Sequence, residues 1–218
     1  MRVLSWNLFH GRALPPCDED LCDAFAAALA RWEWDVALLQ EVPPWWPPQL
    51  AAAAGAQERH ALTSRNALLP VRRALARRRP ELMRASGGGA NTILVRGDEI
   101  AAHAQRRLCV WPERRIVHAV RDGSGRWFAN LHASSVPPRA RRDIALAREA
   151  AVRWAAGAPL VLGGDFNVRD PSVPGFAHAA GHHVDHVFAR GWTPAGPAEL
   201  LDRGSLSDHM PLRVTLGG

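Results

Sequence analysis

Apolar residues along this chain fall into short runs, broken at intervals by proline, glycine and clusters of acids. The opening run, RVLSWNLF at 2–9, ends at Gly11 and predicts a buried strand. After Pro15-Pro16 the acids Asp18, Glu19 and Asp20 lead into an alanine-rich stretch ending near Trp32, which predicts a helix with its acids at the positive end of the dipole. Residues 35–41, DVALLQE, predict a second strand that Pro43-Pro44 stops. Strand, helix, strand is the start of a layered α/β fold. A helical piece around 48–58, a basic segment LLPVRRALARRRPELMR and a glycine-rich stretch ending at Gly89 come next. Short strands are then expected at 91–96, 106–110, 115–121 and 126–132, the last two joined by the turn Asp122-Gly-Ser-Gly125. A run of consecutive strands implies antiparallel pairing. Pro137-Pro138 introduces a helix over 139–155, followed by strands at 159–164, 184–189 and 211–216. No internal repeat and no linker divides the pattern, so residues 1–218 are expected to form one domain.

Composition narrows this further. A 47% hydrophobic and 22% charged content is that of a globular chain. No apolar stretch approaches the roughly 18 residues of a membrane span, and the opening run is too short and polar for a secretion signal. A cytoplasmic protein is expected. Cys17, Cys22 and Cys109 are odd in number and lack C-x-x-C spacing, so reduced thiols are expected as well. All 27 basic residues are arginine, which weakens any inference from one arginine; their distribution says more. Residues 1–58 hold three Arg against eight Asp or Glu, leaving 24 Arg against 13 acids in 59–218. Such a one-sided basic field fits an anionic substrate.

Polar residues stand at the carboxyl ends of the apolar runs, where α/β sheets gather their sites. They are Asn7, Glu41, His132, Asp165 with Asn167, Asp185, and Asp208-His209. Any one alone reads as a turn residue; the set does not. Oxygen ligands from Asn7, Glu41 and Asp208 suit a hard divalent cation such as Mg²⁺ or Mn²⁺. Gly163-Gly164 lets the backbone come close beside Asp165 and Asn167, which share one pocket. His209 needs an orienting carboxylate if it is to act on a proton, and Asp185 is the candidate.

SWN at 5–7, LLQEV at 38–42, NLHAS at 130–134, GGDFN at 163–167, VDHVF at 184–188 and SDHMP at 207–211 together resemble, in order and spacing, the motifs of the endonuclease/exonuclease/phosphatase superfamily. The resemblance spans nearly the whole chain. It implies a four-layer α/β sandwich, two packed mixed β-sheets flanked by helices. It also implies that Asn7 and Glu41 bind the metal with Asp208 near it, and that Asp165 and Asn167 hold the attacking water and a phosphate oxygen. His209 would be paired with Asp185, and His132 would contact the scissile phosphate. Either His209 or Asp165 would be the general base. Other branches of the superfamily use a tyrosine near the phosphate, and this chain contains none. The segment 55–90 matches no family element, and such loops usually set substrate choice.

Further candidates lie outside these motifs. Trp45 or Trp46, following Glu41, could stack a base at the mouth of the cleft or cap the core. Arg72, Arg73 and Arg77 could track a phosphate backbone or form a solvated helix face. Asn91 completes the substrate-binding candidates. The cluster His178, His182, His183 and His186 has a spacing that suits zinc only on a continuous helix, which Gly181 and the following strand interrupt. The expected function is a divalent-metal-dependent phosphoesterase hydrolysing phosphodiesters by in-line water attack, foremost a nuclease acting on DNA or RNA. A phosphatase or phosphodiesterase of small-molecule, lipid or inositol phosphates is the alternative, and a catalytically silent nucleic-acid-binding module a further one.

Overall fold

The structure is a computed structural model that describes residues 1–63, 68–78 and 89–218. Thirteen strands and four α-helices are described, in the order β1 (Arg2–Asn7), α1 (Cys22–Arg31), β2 (Val36–Val42), α2 (Pro47–Ala54), β3 (Ala56–Leu62), α3 (Leu69–Arg78), β4 (Ala90–Arg96), β5 (Ile100–Cys109), β6 (Arg115–Asp122), β7 (Trp127–His132), α4 (Pro137–Ala155), β8 (Leu160–Asp165), β9 (Ala177–His182), β10 (Asp185–Arg190), β11 (Thr193–Pro194), β12 (Glu199–Leu200) and β13 (Leu212–Gly217). The expected boundaries hold to within a few residues except in three places. The helix expected around 48–58 stops at Ala54, where Gly55 takes φ +61° and caps it, and residues 56–62 turn into β3. The strand expected at 106–110 begins six residues earlier, at Ile100. Strands β9, β11 and β12 carry too few apolar residues to be read from the pattern.

Two mixed sheets pack face to face. One runs β11-β13-β1-β2-β4-β3, with β12 also on β13, and the other runs β5-β6-β7-β8-β10-β9. Each holds one parallel pair near its middle, β1 with β2 and β7 with β8, among antiparallel neighbours. Alternation along the strands sorts side chains to two faces. Leu4, Trp6 and Leu39 pack outward against Phe25 and Leu29 of α1 and Leu50 of α2. Leu131, Leu160 and Leu162 pack outward against Ile144, Ala147 and Ala151 of α4. Val3, Val36, Leu38, Phe128, Val161 and Val187 fill the space between the sheets. The result is a four-layer α/β sandwich. No helix among the described residues is long and apolar enough to cross a membrane.

One polar knot ties the sheets together inside this apolar layer. Gln40 Nε2 donates to Asn130 Oδ1 at 2.8 Å, while Asn130 Nδ2 donates to the carbonyls of Leu39 and Thr92 at 2.8 and 2.9 Å. Close approach also needs glycine. A Cβ on Gly163 would lie 2.8 Å from Leu38 Cδ1 of the opposite sheet.

Candidate active site

The period of two that builds the inter-sheet core also builds the site. Val3, Ser5 and Asn7 share one face of β1; Phe128, Asn130 and His132 share one face of β7; Val161, Gly163 and Asp165 share one face of β8. In each case the first residue lies in the inter-sheet core and the last stands at the carboxyl end of a parallel pair. Asp185 opens β10 and pairs directly with Asp165, so it arrives at the same edge from the opposite direction. Glu41 breaks the rule. By alternation it would face the helices with Leu39, but it takes φ +51° and the pairing of β2 with β4 shifts between Leu39 and Val42. The carboxylate thereby reaches His10 Nε2 at 3.2 Å and His132 Nε2 at 3.8 Å. Left-handed backbone also occurs at Phe9, His10, Asn167 and Ser207, a concentration of strain at one edge of the fold that is typical of functional sites.

Asp165 is the hub. Its Oδ1 accepts the backbone N–H of Asn167 at 2.9 Å and its Oδ2 accepts Asn7 Nδ2 at 3.0 Å. The same Oδ2 lies 3.6 Å from His132 Nε2 and 4.0 Å from His209 Nε2. His209 Nδ1 donates to Asp185 Oδ2 at 2.7 Å. Three further bonds seat the His209 loop on β1: Ser207 Oγ donates to the Asn7 carbonyl at 2.6 Å, the His209 N–H donates to Ser207 Oγ at 3.1 Å, and Trp6 Nε1 donates to the His209 carbonyl at 3.1 Å.

Burial and crowding of like charges set the protonation states. Burial, reinforced by the negative charge of Asp165, pushes the Glu41 carboxyl up to about 7. Burial and repulsion from Asp185 raise Asp165 to about 6 against the opposing pull of His209 and its two hydrogen bonds. Burial works to discharge His209, but the hydrogen bond and charge of Asp185, with Asp165 and Asp208 behind it, outweigh it and lift the imidazole to about 9. His132 goes the other way. Burial, with the positive charges of Arg115, His10 and His209, holds it well below the ordinary histidine range and therefore neutral.

Of the residues expected at the site, Asn7, Glu41, His132, Asp165, Asn167, Asp185 and His209 converge at this edge, and the more exposed Asp208 presents Oδ1 3.8 Å from His209 Nε2. Asp165, Asp185 and His209 each offer a ligand atom within 4.8 Å of the others. Two expected contacts are ruled out by burial. Trp46 is 4% exposed and packs in the helix-side core with its ring 5.5 Å from Phe25, so it cannot stack on a substrate. Asn91 is 1% exposed and donates to the Ile116 carbonyl at 3.1 Å, joining the two sheets. Trp45 and Arg73 line one pocket of about 620 Å³ with Pro44, Pro48 and His60. The side chains of Arg72 and Arg77 lie outside the described residues. In the histidine cluster, His186 is a strand residue whose Nε2 bonds the Val168 carbonyl and whose Nδ1 lies 3.1 Å from His178 Nε2. His10, Arg115 and Ser207 were not evident as site residues. His10 follows β1 in a left-handed turn, and Arg115 acts on Glu41 and His132 from the neighbouring strand β6, relations that no spacing encodes.

The sequence pattern of the Endonuclease/Exonuclease/phosphatase family matches residues 4–209. Among curated proteins no relative matches the sequence. Solved structures with the same fold include a functionally unknown conserved protein of Enterococcus faecalis, 16% identical, covering all of both chains with a TM-score of 0.72. A mannosyl-6-phosphatase of Bacteroides thetaiotaomicron is 15% identical over all of both chains with a TM-score of 0.68. Truncated TDP2 of Caenorhabditis elegans is 17% identical, over 100% of this chain and 97% of that one, with a TM-score of 0.70.

Proposed function

The chain belongs to the endonuclease/exonuclease/phosphatase family, and we accordingly propose that it is a divalent-metal-dependent phosphoesterase that hydrolyses phosphodiester bonds of nucleic acid by in-line attack of water. The observation that carries this reading is the convergence of Glu41, Asp165 and the Asp185–His209 pair at one edge of the sandwich, with Glu41 and Asp165 lying 3.8 and 3.6 Å from His132 Nε2. Carboxylates crowded this way resist ionisation, as the raised Glu41 and Asp165 show, and a cation among them would relieve that repulsion. Asp185 Oδ1 is buried with no hydrogen-bond partner among the described residues, a further sign of unmet demand for positive charge. The donors are hard oxygens, which fit Mg²⁺ or Mn²⁺. Asn7, Glu41 and Asp208 would hold the ion, which when bound stabilises the charge developing on the phosphoryl oxygens.

The remaining roles follow from geometry and charge. Asp165 Oδ2 and His209 Nε2, 4.0 Å apart, are too close to flank opposite sides of an in-line displacement, so they act on the same side. Asp165, oriented by Asn7 and Asn167, takes the proton of the attacking water at Oδ2. His209, kept charged by Asp185, donates to a non-bridging phosphate oxygen. His132 is neutral; it can hydrogen-bond a phosphate oxygen but has no surplus proton to give the leaving group. The excess of 24 Arg over 13 acids in residues 59–218 favours a polyanion as substrate. A phosphatase acting on small phosphomonoesters is the second reading, favoured by the full-length likeness to a mannosyl-6-phosphatase. A substrate panel of plasmid, single-stranded DNA, RNA, mononucleotide, inositol phosphate and sugar phosphate, with Mg²⁺, Mn²⁺ or EDTA, tests both. Metal-dependent chain cleavage is expected. Phosphate release from monoesters with no chain cleavage would replace the first reading with the second.

A further inference from the structure

A second pocket, of about 300 Å³, opens beside the site between the start of β6 and the start of α4. Ser134 and Ser135 in its wall follow His132 by two and three residues, which places it within about 10 Å of that histidine. Arg115 and Arg139 line it, with Glu113 the one acid in the wall. The Arg115 side chain is only 9% exposed; one of its terminal nitrogens holds Glu113, and its Nε has no partner among the described residues. Arg139 is exposed in the first turn of the 19-residue α4, where the dipole is positive. Pro137 and Pro138 remove two of the N–H groups a helix start would offer, so side chains rather than backbone must make the contacts. At the rim stands Trp111, 76% exposed, more than any other large apolar side chain described, with the Arg139 guanidinium 5.9 Å from its ring centroid.

An exposed indole beside one arginine, next to a pocket that a second arginine also lines, matches what a single strand presents, a base face next to a phosphate. Resting on the phosphodiesterase reading above, we propose that this pocket binds the phosphate flanking the scissile one in a polynucleotide, with Arg139 and Arg115 on the phosphate and Trp111 stacked on the adjoining base. A phosphomonoester or a minimal diester has no group to place there. The subsite therefore makes this enzyme selective for chains over single phosphate esters.

The test uses Arg139→Gln and Trp111→Ala, both at exposed positions away from the reacting atoms. Turnover is measured on a short single-stranded oligonucleotide and on bis(p-nitrophenyl) phosphate, and oligonucleotide affinity is measured in EDTA over a salt series. For Arg139→Gln, kcat/KM on the oligonucleotide should fall about tenfold, and the slope of log affinity against log salt should flatten by about 0.7, one phosphate contact's worth, while the minimal diester is hydrolysed as by the wild type. Trp111→Ala should weaken a base-bearing oligonucleotide about tenfold and leave an abasic one unchanged. Equal losses on both substrates, or an unaltered salt slope, would overturn the subsite. If the wild type cleaves no phosphodiester with any metal, the functional reading above fails, and affinity and salt slope in EDTA decide the subsite separately.

Discussion

Glu41 combines the demands of the site in one side chain. Its backbone is held in the left-handed region and its carboxyl is raised to about 7 from an ordinary value of 4.5. Between these values the folded protein binds a proton that the unfolded chain has released, so stability without metal rises as pH falls through this window. Above pH 7 the full penalty is present. Glu41→Gln should therefore stabilise the EDTA-treated protein at pH 8 by up to about 3 kcal/mol, with the gain shrinking toward pH 5, as read by thermal melts. The same variant should lower metal-dependent turnover by orders of magnitude, and wild-type metal affinity should fall about tenfold per pH unit below 7 because the ligand must be ionised. Unchanged calorimetric metal binding in Glu41→Gln would remove Glu41 from the ligand set. Asp185 and His209 make the second prediction at this scale. Their 2.7 Å bond makes them one unit, so Asp185→Asn, His209→Ala and the double variant should lose kcat non-additively, the double being little worse than either single. Additive losses would mean that the two act separately.

Strand ends carry most of the site, with Asn167, Asp208 and His209 in the turns beside them, and each depends on how its strand terminates. At the end of β8, Gly164 takes φ +135°, and a Cβ there would sit 1.9 Å from the Leu131 carbonyl oxygen of β7. No side-chain rotation can relieve a clash with backbone. Gly164→Ala should cost about 3 kcal/mol or more and displace Asp165. Gly157 is the control, with φ +98° but open space around its Cβ position, so Gly157→Ala should cost only about 1 kcal/mol. Denaturant midpoints of the pair distinguish a packing requirement from a backbone preference. A similar argument accounts for an element the pattern misplaced. The helix expected around 48–58 stops early because Gly55 ends α2 and turns the chain, so that residues 56–62 pair with the edge of β4 as β3.

For the molecule as a whole, the apolar layer between the sheets is strong but not directional, and the Gln40–Asn130 knot supplies the register. Asn130→Ala would leave Gln40 and the carbonyls of Leu39 and Thr92 buried without their partner. A loss of about 2–4 kcal/mol is expected, or roughly 5–10 °C in Tm, with turnover falling as well because His132 and Glu41 lie on the same two strands. Intact stability in that variant would show that the Gln40–Asn130 bond is not what aligns the sheets.

Much of this architecture is written locally. Alternating apolar runs, proline stops and the six ordered motifs are short-range features, so strands β1, β2, β4–β8, β10 and β13, the helices α1 and α4, and the residues Asn7, Glu41, His132, Asp165, Asn167, Asp185, Asp208 and His209 as a set at strand ends and their following turns could be read from the chain. Burial of particular residues could not. Trp45 and Trp46 are neighbours of identical chemistry, and only the packing of α2 on Phe25 sends the second into the core while the first stays at a pocket edge. Asn91 looks like any polar residue after a glycine run until the facing strand brings the Ile116 carbonyl to it. His10 contacts Glu41 across 31 residues and Arg115 acts by its charge on His132 from 17 residues away, and the protonation states of Glu41 and His132 depend on charges from different strands. Hydrophobic periodicity is a property of a segment and survives in the bare sequence. Desolvation and Coulomb interaction depend on distances between segments, and those distances exist only once the two sheets have closed on each other.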